Sequence, residues 1–184
     1  RNVKEMSIPT NIKIISSYAF SFSQIKEISI PPNVSKIGES AFCGCSNLQK
    51  VEIPTNSNLQ SIERNAFFKT KICKIFIPPN VTKICESAFF DCSDLRSVEI
   101  PTNSNLQTIE RSAFCGTNID EIYFPKNLKE LKNKWCCGAK KLKKIIISPS
   151  NDQFIFKDGE YLLGKSDTNN DEFDILLFVN RDLK

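Results

Sequence analysis

Proline recurs in this chain with a regularity that an ordinary globular core does not require. Pro9, Pro31, Pro54, Pro78, Pro101, Pro125 and Pro149 each follow a short apolar segment, at intervals of 22 to 24 residues. A proline cannot donate to a strand ladder, so each one marks where a short strand has to stop. A fixed period of this length means a stack of similar units, none of which can bury its apolar side alone.

A second landmark confirms the period. Ala-Phe pairs occur at Ala19-Phe20, Ala41-Phe42, Ala66-Phe67, Ala88-Phe89 and Ala113-Phe114, spaced alternately by 22 and 25 residues. The alternation defines a larger unit of 47 residues: Lys26 to Ile72 and Cys73 to Ile119 are identical at about two thirds of positions. One half reads PPNVSKIGESAFCGCSNL and again PPNVTKICESAFFDCSDL; the other reads PTNSNLQSIERNAF and again PTNSNLQTIERSAF.

Within a half-unit the apolar residues before the proline, such as Leu48, Val51 and Ile53, have the spacing of a short β-branched strand. A second apolar pair follows, as at Val34 and Ile37, and then Ala41-Phe42, read as a brief helical or 3₁₀ turn. The expected fold is therefore an α/β, right-handed solenoid. A curved parallel sheet lines its concave face, short helical or 3₁₀ turns lie opposite, and residues 1–149 hold about six repeats of 22 to 25 residues.

The pattern of Leu48, Val51, Ile53 and Pro54, followed by Ile62, Ala66 and Phe67, resembles the BspA-like class of leucine-rich repeats over essentially Met6 to Pro149. The resemblance implies a surface-exposed or secreted antigen of the kind found in bacteria and protist parasites, acting in attachment to host matrix proteins and cells. It also implies the leucine-rich-repeat solenoid form.

The pattern breaks twice. In the sixth unit Pro125, Leu128 and Leu131 keep register, but Trp135-Cys136 stands where Ala-Phe is expected. After Pro149 the repeat is lost: Phe154 to Leu163 is two apolar runs around Asp158-Gly159, a hairpin signature, followed by a strand-like run from Asp174 to Val179. Residues 150–184 are expected to be a modified repeat with a hairpin insertion, or a truncated cap, too small for a core of their own. Beginning at Arg1 and ending inside a patterned segment at Lys184, the chain reads as a piece of a longer protein. Arg1 to Thr10 lack the apolar core of a signal peptide, and no apolar run nears the ~18 residues that span a bilayer, so no direct membrane insertion is expected of this piece.

Chemistry is sparse. The chain has no histidine, which removes the commonest general base, the Ser-His and Cys-His pairs and most zinc sites. No phosphate-binding glycine loop or paired carboxylates stand out, so neither an enzyme nor a cofactor is expected. The eight cysteines, at 43, 45, 73, 85, 92, 115, 136 and 137, follow the repeat rather than a ligand set. They are read chiefly as buried thiols, with Cys45 and Cys92 in one inward slot and some disulfide left open. Asp167, Asn169 and Asp171 mimic a calcium loop, but Glu172 occupies the glycine position and Phe178 the bidentate glutamate position, leaving a solvated turn. Glu63-Arg64 and Glu110-Arg111 recur in register and are read as ion pairs between neighbouring units. A net charge of +4 does not point to nucleic acid, although eight lysines lie between Lys126 and Lys144 with Glu130 as the one acid. They serve either as a solvated face or to attract an acidic partner such as a sulfated glycan or an anionic surface.

The positions of most interest are those between the inward residues of each strand. Ser7, Ser29, Glu52, Phe76, Glu99, Tyr123 and Ile146 form one outward column along the concave face, with Glu5, Glu27, Lys50, Lys74, Ser97, Glu121 and Lys144 beside it. Glu52, Phe76, Glu99, Tyr123 and Ile146 are the candidate ligand-binding residues. Exposed aromatics call for a cover: a partner protein, a second copy of the chain, or the 154–163 hairpin folded back. Asn33 and Asn80 begin N-glycosylation sequons at equivalent repeat positions, and duplication of one unit explains both as readily as selection for sugar does. The implied partner is a protein, or a matrix or glycan ligand; self-association along open ends and an intracellular protein-interaction scaffold stand as the alternatives.

Overall fold

The computed structural model describes residues 5–167 and 171–179. Six coils follow one another, each contributing two short strands. They are β1 (Glu5–Ser7) and β2 (Ile14–Ile15), β3 (Glu27–Ser29) and β4 (Lys36–Ile37), β5 (Lys50–Glu52) and β6 (Ser61–Ile62), β7 (Lys74–Phe76) and β8 (Lys83–Ile84), β9 (Ser97–Glu99) and β10 (Thr108–Ile109), then β11 (Glu121–Phe124) and β12 (Glu130–Leu131). Strand β13 (Lys144–Ile147) opens the next turn of the chain.

All pairing between coils is parallel. The two-residue strands form one unbroken sheet of six, with Ile15, Ile37, Ile62, Ile84, Ile109 and Leu131 in register. The longer strands pair in three pieces, β1-β3-β5, β7-β9 and β11-β13. Their first residues step by 22 or 23 positions within a piece and by 24 across each break, from Lys50 to Lys74 and from Ser97 to Glu121. The alternation of unit length seen in the sequence thus coincides with where this sheet is interrupted.

Strands and turns make up the described residues, and no helix occurs among them. The expected α/β character and helical turns are corrected accordingly: the fold is an all-strand parallel solenoid. The backbone gives the reason. Each Ala-Phe turn is bracketed by two left-handed residues four positions apart, such as Ser40 (φ 53°) and Gly44 (φ 68°), or Ser87 (φ 56°) and Asp91 (φ 57°). A left-handed residue stops helix propagation, and the three residues between cannot establish a run of i→i−4 bonds. Their amides instead alternate in direction. Ala41 and Cys43 donate three residues back, to Gly38 and Ser40, whereas Ser40, Phe42 and Gly44 donate to the carbonyls of Arg64, Ala66 and Phe68 in the next coil.

The core is built from repeated columns. Phe20, Phe42, Phe67, Phe89 and Phe114 stack with centroids 5.0, 5.2, 5.4 and 5.3 Å apart and planes within 4° of parallel. All but Phe20 are fully buried. Each buried ring contributes roughly 2–3 kcal/mol of transfer free energy, with about 0.5–1.5 kcal/mol more per aromatic contact. The stack ends at the sixth coil, where Trp135 takes the alanine slot and Cys136 the phenylalanine slot, and the buried Trp135 indole N–H has no partner among the described residues.

Polar groups that the stacking would strand are satisfied across coils. The side-chain amides of Asn33, Asn80 and Asn127 donate to the carbonyls of Thr10, Ser57 and Ser104 at 3.0, 3.0 and 2.9 Å. Asn151 closes the series with bonds to the Pro125 and Leu128 carbonyls. The Cys45 and Cys92 thiols donate to the Phe20 and Phe67 carbonyls, both at 2.9 Å.

Parallel pairing stops at β13. Strands β14 (Phe154–Lys157), β15 (Tyr161–Gly164) and β16 (Ile175–Val179) form an antiparallel sheet. The hairpin expected around Asp158-Gly159 is present: both residues have positive φ (55° and 72°), the Glu160 amide donates to the Lys157 carbonyl, and Lys157 pairs with Tyr161 across a three-residue loop. Phe154 and Leu162 are buried, and Phe154 meets Phe124 edge to face at 5.7 Å, which ties this sheet to the last coils.

Candidate functional site

In each longer strand the middle residue points inward and its neighbours outward. Ile28, Val51, Ile75, Val98, Ile122 and Ile145 are buried, while Glu27, Ser29, Lys50, Glu52, Lys74, Glu99, Glu121, Lys144 and Ile146 are exposed. The five candidate residues therefore lie on one face. They do not share one environment. Phe76 and Tyr123 are half-buried rather than exposed, and Tyr123 packs against the core. Ile146 stays 37% exposed.

Of the depressions along this face, two share Phe76. The larger, about 970 Å³, is walled by Glu27, Ser29, Lys50, Glu52, Lys74 and Phe76, and extends over Ile30, Pro31, Ile53 and Pro54. The smaller, about 350 Å³, holds Phe76, Glu99, Tyr123 and Ile146. Phe76 belongs to both, so four of the five candidates meet in one hollow and Glu52 joins them through the other. No residue of β14–β16 lines either depression, and the folded-back hairpin is not their cover. The proline wall escaped the sequence reading; its signal was the recurrence of proline directly after the outward column.

The charges here are largely internal to the face. Lys50 pairs with Glu52 at 2.6 Å, Lys74 with Glu99 at 2.6 Å and Lys144 with Glu121 at 3.1 Å. Ser29 Oγ also donates to Glu52 at 2.8 Å. The Lys50 ammonium, and then the Ser29 hydroxyl, hold the Glu52 carboxyl below the usual carboxylate range. With the carboxylates engaged, the apolar residues are the part of the face with most to gain from a cover.

On the opposite sheet Glu63 pairs with Lys36 at 3.4 Å and Glu110 with Lys83 at 2.7 Å, both bridging to the preceding coil, and Arg64 reaches Glu86 at 3.8 Å in the next. These recurrent glutamates are cross-coil ion pairs. Asn33 and Asn80 are exposed, with their amides already donating to the preceding coil. Asp167 and Asp171 are exposed, and Asn169 lies outside the described residues. Among the described residues no group of three possible ligands is arranged to hold a metal ion.

The cysteines divide. Cys45, Cys85, Cys92 and Cys136 are buried thiols, Cys43 is half-buried and Cys73 exposed, and Cys115 is joined to Cys137 by a disulfide. The last two stand 22 residues apart with Cα atoms 4.5 Å from each other, the same slot in successive coils. That identity of slot was the signal in the sequence. Burial pushes the Cys92 thiol up to about 12, and burial followed by the Glu63 and Glu110 charges pushes Cys85 to about 11. Because the folded values lie above those of the unfolded chain, the contribution of these thiols to stability is complete below about pH 9 and is lost as pH rises through the folded values. Urea midpoints measured between pH 8 and 11 are expected to fall with pH, and Cys92→Ala is expected to flatten that fall. In native protein at pH 8, iodoacetamide is expected to label Cys73 before Cys92.

A family model for the BspA type leucine-rich repeat region matches in six copies, over residues 1–95 and 60–158. The chain belongs to the BspA-type leucine-rich-repeat family. Among solved structures, this BspA-type chain is similar to the pneumococcal vaccine antigen PcpA, with 26% identity and a TM-score of 0.82 over 88% of this chain and 44% of that one. A leucine-rich cell surface protein from Faecalibacterium prausnitzii shares the fold, with 22% identity and a TM-score of 0.65 over 90% and 52% of the two chains. A leucine-rich repeat protein from Bacteroides ovatus follows, with 26% identity and a TM-score of 0.57 over 81% and 47%. The BspA-type chain spans about half the length of these structures. No curated protein matches it significantly, and no helix among the described residues is long and apolar enough to cross a membrane.

Proposed function

We propose that this BspA-type chain is a non-enzymatic, cell-surface or secreted adhesion module that binds a partner macromolecule through the outward face of β3–β13, the face expected to be concave. In this reading residues 1–149 are the binding array and 150–184 a modified repeat or cap. The observation that carries it is the placement of Phe76 in both depressions, with Tyr123 and Ile146 beside it and Glu52, Glu99 and Glu121 each paired with a lysine. The similarity to a vaccine antigen and to a cell surface protein, and the Cys115–Cys137 disulfide, a bond of oxidising compartments, support export.

The test is retention on a panel of immobilised extracellular-matrix proteins. For any component retained, Phe76→Ala with Tyr123→Ala is expected to weaken binding by about 2 kcal/mol or more, as for clustered aromatic anchors. The unfolding midpoint of Phe76→Ala alone should move little. Retention unchanged by the double substitution assigns binding elsewhere. A second reading, self-association, is favoured by the exposed Ile155, Ile175, Leu176 and Val179 of the terminal sheet. Light scattering that rises with concentration supports it, and a constant monomer mass removes it.

A further inference from the structure

Charge is distributed unevenly along this solenoid. The whole chain has a net charge of +4, but residues 126–144 contain eight lysines and one glutamate, a net +7, so the remainder of the chain stands at −3. The excess is densest in the sixth coil. In earlier coils Lys36, Lys50, Lys71, Lys74 and Lys83 each have a carboxylate partner, from Glu63, Glu52, Asp94, Glu99 and Glu110. In the sixth, Lys132 meets Glu130 and Lys144 meets Glu121, but Lys126, Lys134, Lys140 and Lys141 are exposed with no carboxylate at ion-pair distance among the described residues.

Nearby acids do not cancel the excess. Glu86 and Glu110 share a shallow hollow with Arg111, Lys132 and Lys134, yet Glu86 pairs with Arg64 and Glu110 with Lys83 from earlier coils. The Asp152 carboxyl is held below its usual range chiefly by the Gln153 side-chain amide, with Lys165 and Lys129 adding to it. The placement follows the path of the chain. Lys126 lies in the turn after Pro125, Lys132 directly after β12, Lys134 at the start of the Trp135 turn, and Lys140 and Lys141 on the return to β13. The cations thus follow the circuit of one coil as a line.

We propose that the sixth coil is a binding track for a linear sulfated polysaccharide, separate from the apolar face. A linear polyanion carries its sulfates in a narrow file that can lie along a ridge one coil wide, whereas a flat anionic membrane would also bring its charge against neighbouring coils that lack this lysine density. Lysine serves here as a compact point charge on a mobile stem that can adjust to the sulfate spacing. Binding of this kind is driven by release of counterions and weakens steeply with salt.

The experiment uses the whole chain and heparin as the probe. Retention on immobilised heparin is expected at about 0.15 M salt, with elution at higher salt. The triple variant Lys134→Asn, Lys140→Gln, Lys141→Gln, with asparagine chosen because Lys134 has a φ of 61°, is expected to bind heparin about tenfold more weakly or less, with a reduced salt slope. Its Trp135 fluorescence should match the parent's, showing an intact coil. Phe76→Ala should leave heparin affinity unchanged, which separates this track from the face proposed above. Failure of the parent to bind heparin, equal binding by the triple variant, or tighter binding to phosphatidylserine vesicles than to heparin would overturn the proposal.

Discussion

Replacing Phe89 by alanine is expected to lower the free energy of unfolding by about 3–5 kcal/mol, the range for a fully buried aromatic that leaves a cavity. Phe89 is completely buried, with Phe67 on one side at 5.4 Å and Phe114 on the other at 5.3 Å. Its backbone amide donates to Ala113 across the coil boundary, so the surrounding chain is held and can collapse only partly into the space. Two ring contacts are lost at once, which places the cost toward the upper part of that range. In a stacked array stability is a sum of unit and nearest-neighbour terms, and a break in the middle also uncouples the coils on either side. Urea denaturation followed by circular dichroism is expected to show a lower midpoint and a broader transition. Phe76→Ala, on the outward face, should show neither. Equal losses for the two substitutions would mean that the inward and outward columns are wrongly assigned.

The second large effect is expected at the Cys115–Cys137 bond. It closes a loop of 22 residues, for which restriction of the unfolded chain contributes about 3 kcal/mol. That contribution falls where the coil has least else to hold it. Cys136 replaces the stacking phenylalanine, Trp135 replaces the alanine, and the indole N–H is buried without a partner among the described residues, an arrangement that costs about 1–3 kcal/mol. Reduction, or the pair Cys115→Ala and Cys137→Ala, is therefore expected to loosen the sixth coil before the rest. Trp135 is the one tryptophan of the chain, so its fluorescence reports this coil alone while circular dichroism reports the whole. In the reduced protein the fluorescence transition is expected at lower urea than the circular-dichroism transition, with the two closer together in the oxidised protein. Coincident, unshifted transitions in both would show that the bond does not hold this coil.

Much of this architecture was legible because one constraint recurs. Prolines fixed the strand ends, the 47-residue identity fixed which residues share a slot, and alternation about Val51 or Val98 fixed which side chains turn inward. The hairpin was legible from Asp158-Gly159 for the same local reason. What misled was the Ala-Phe turn. Ala41 and Phe42 read as a helical or 3₁₀ turn in isolation, but Ser40 and Gly44 on either side adopt left-handed backbone, a choice made favourable by carbonyls that the next coil supplies. No single unit contains that information. Exposure of Phe76 and Tyr123 was overestimated for a similar reason: neighbours on the same face shield side chains that strand alternation merely directs outward. The disulfide stayed open in the sequence because the partner of Cys137 is its equivalent one coil earlier, Cys115, a relation that the break in the sixth unit obscures.

The direction of the backbone bonds between coils has a wider consequence. Along the Phe ridge every coil offers its amides to the following one, as from Phe42 to Ala66 and from Phe89 to Ala113, so the upper and lower surfaces of a coil differ but each upper surface fits any lower one of its type. Excision of Lys26 to Ile72 would join Ile25 to Cys73 and set Phe20 beside Phe89, with the same geometry it now has with Phe42. A gene built this way can change the reach of its product in steps of two coils through unequal recombination, without designing a new junction.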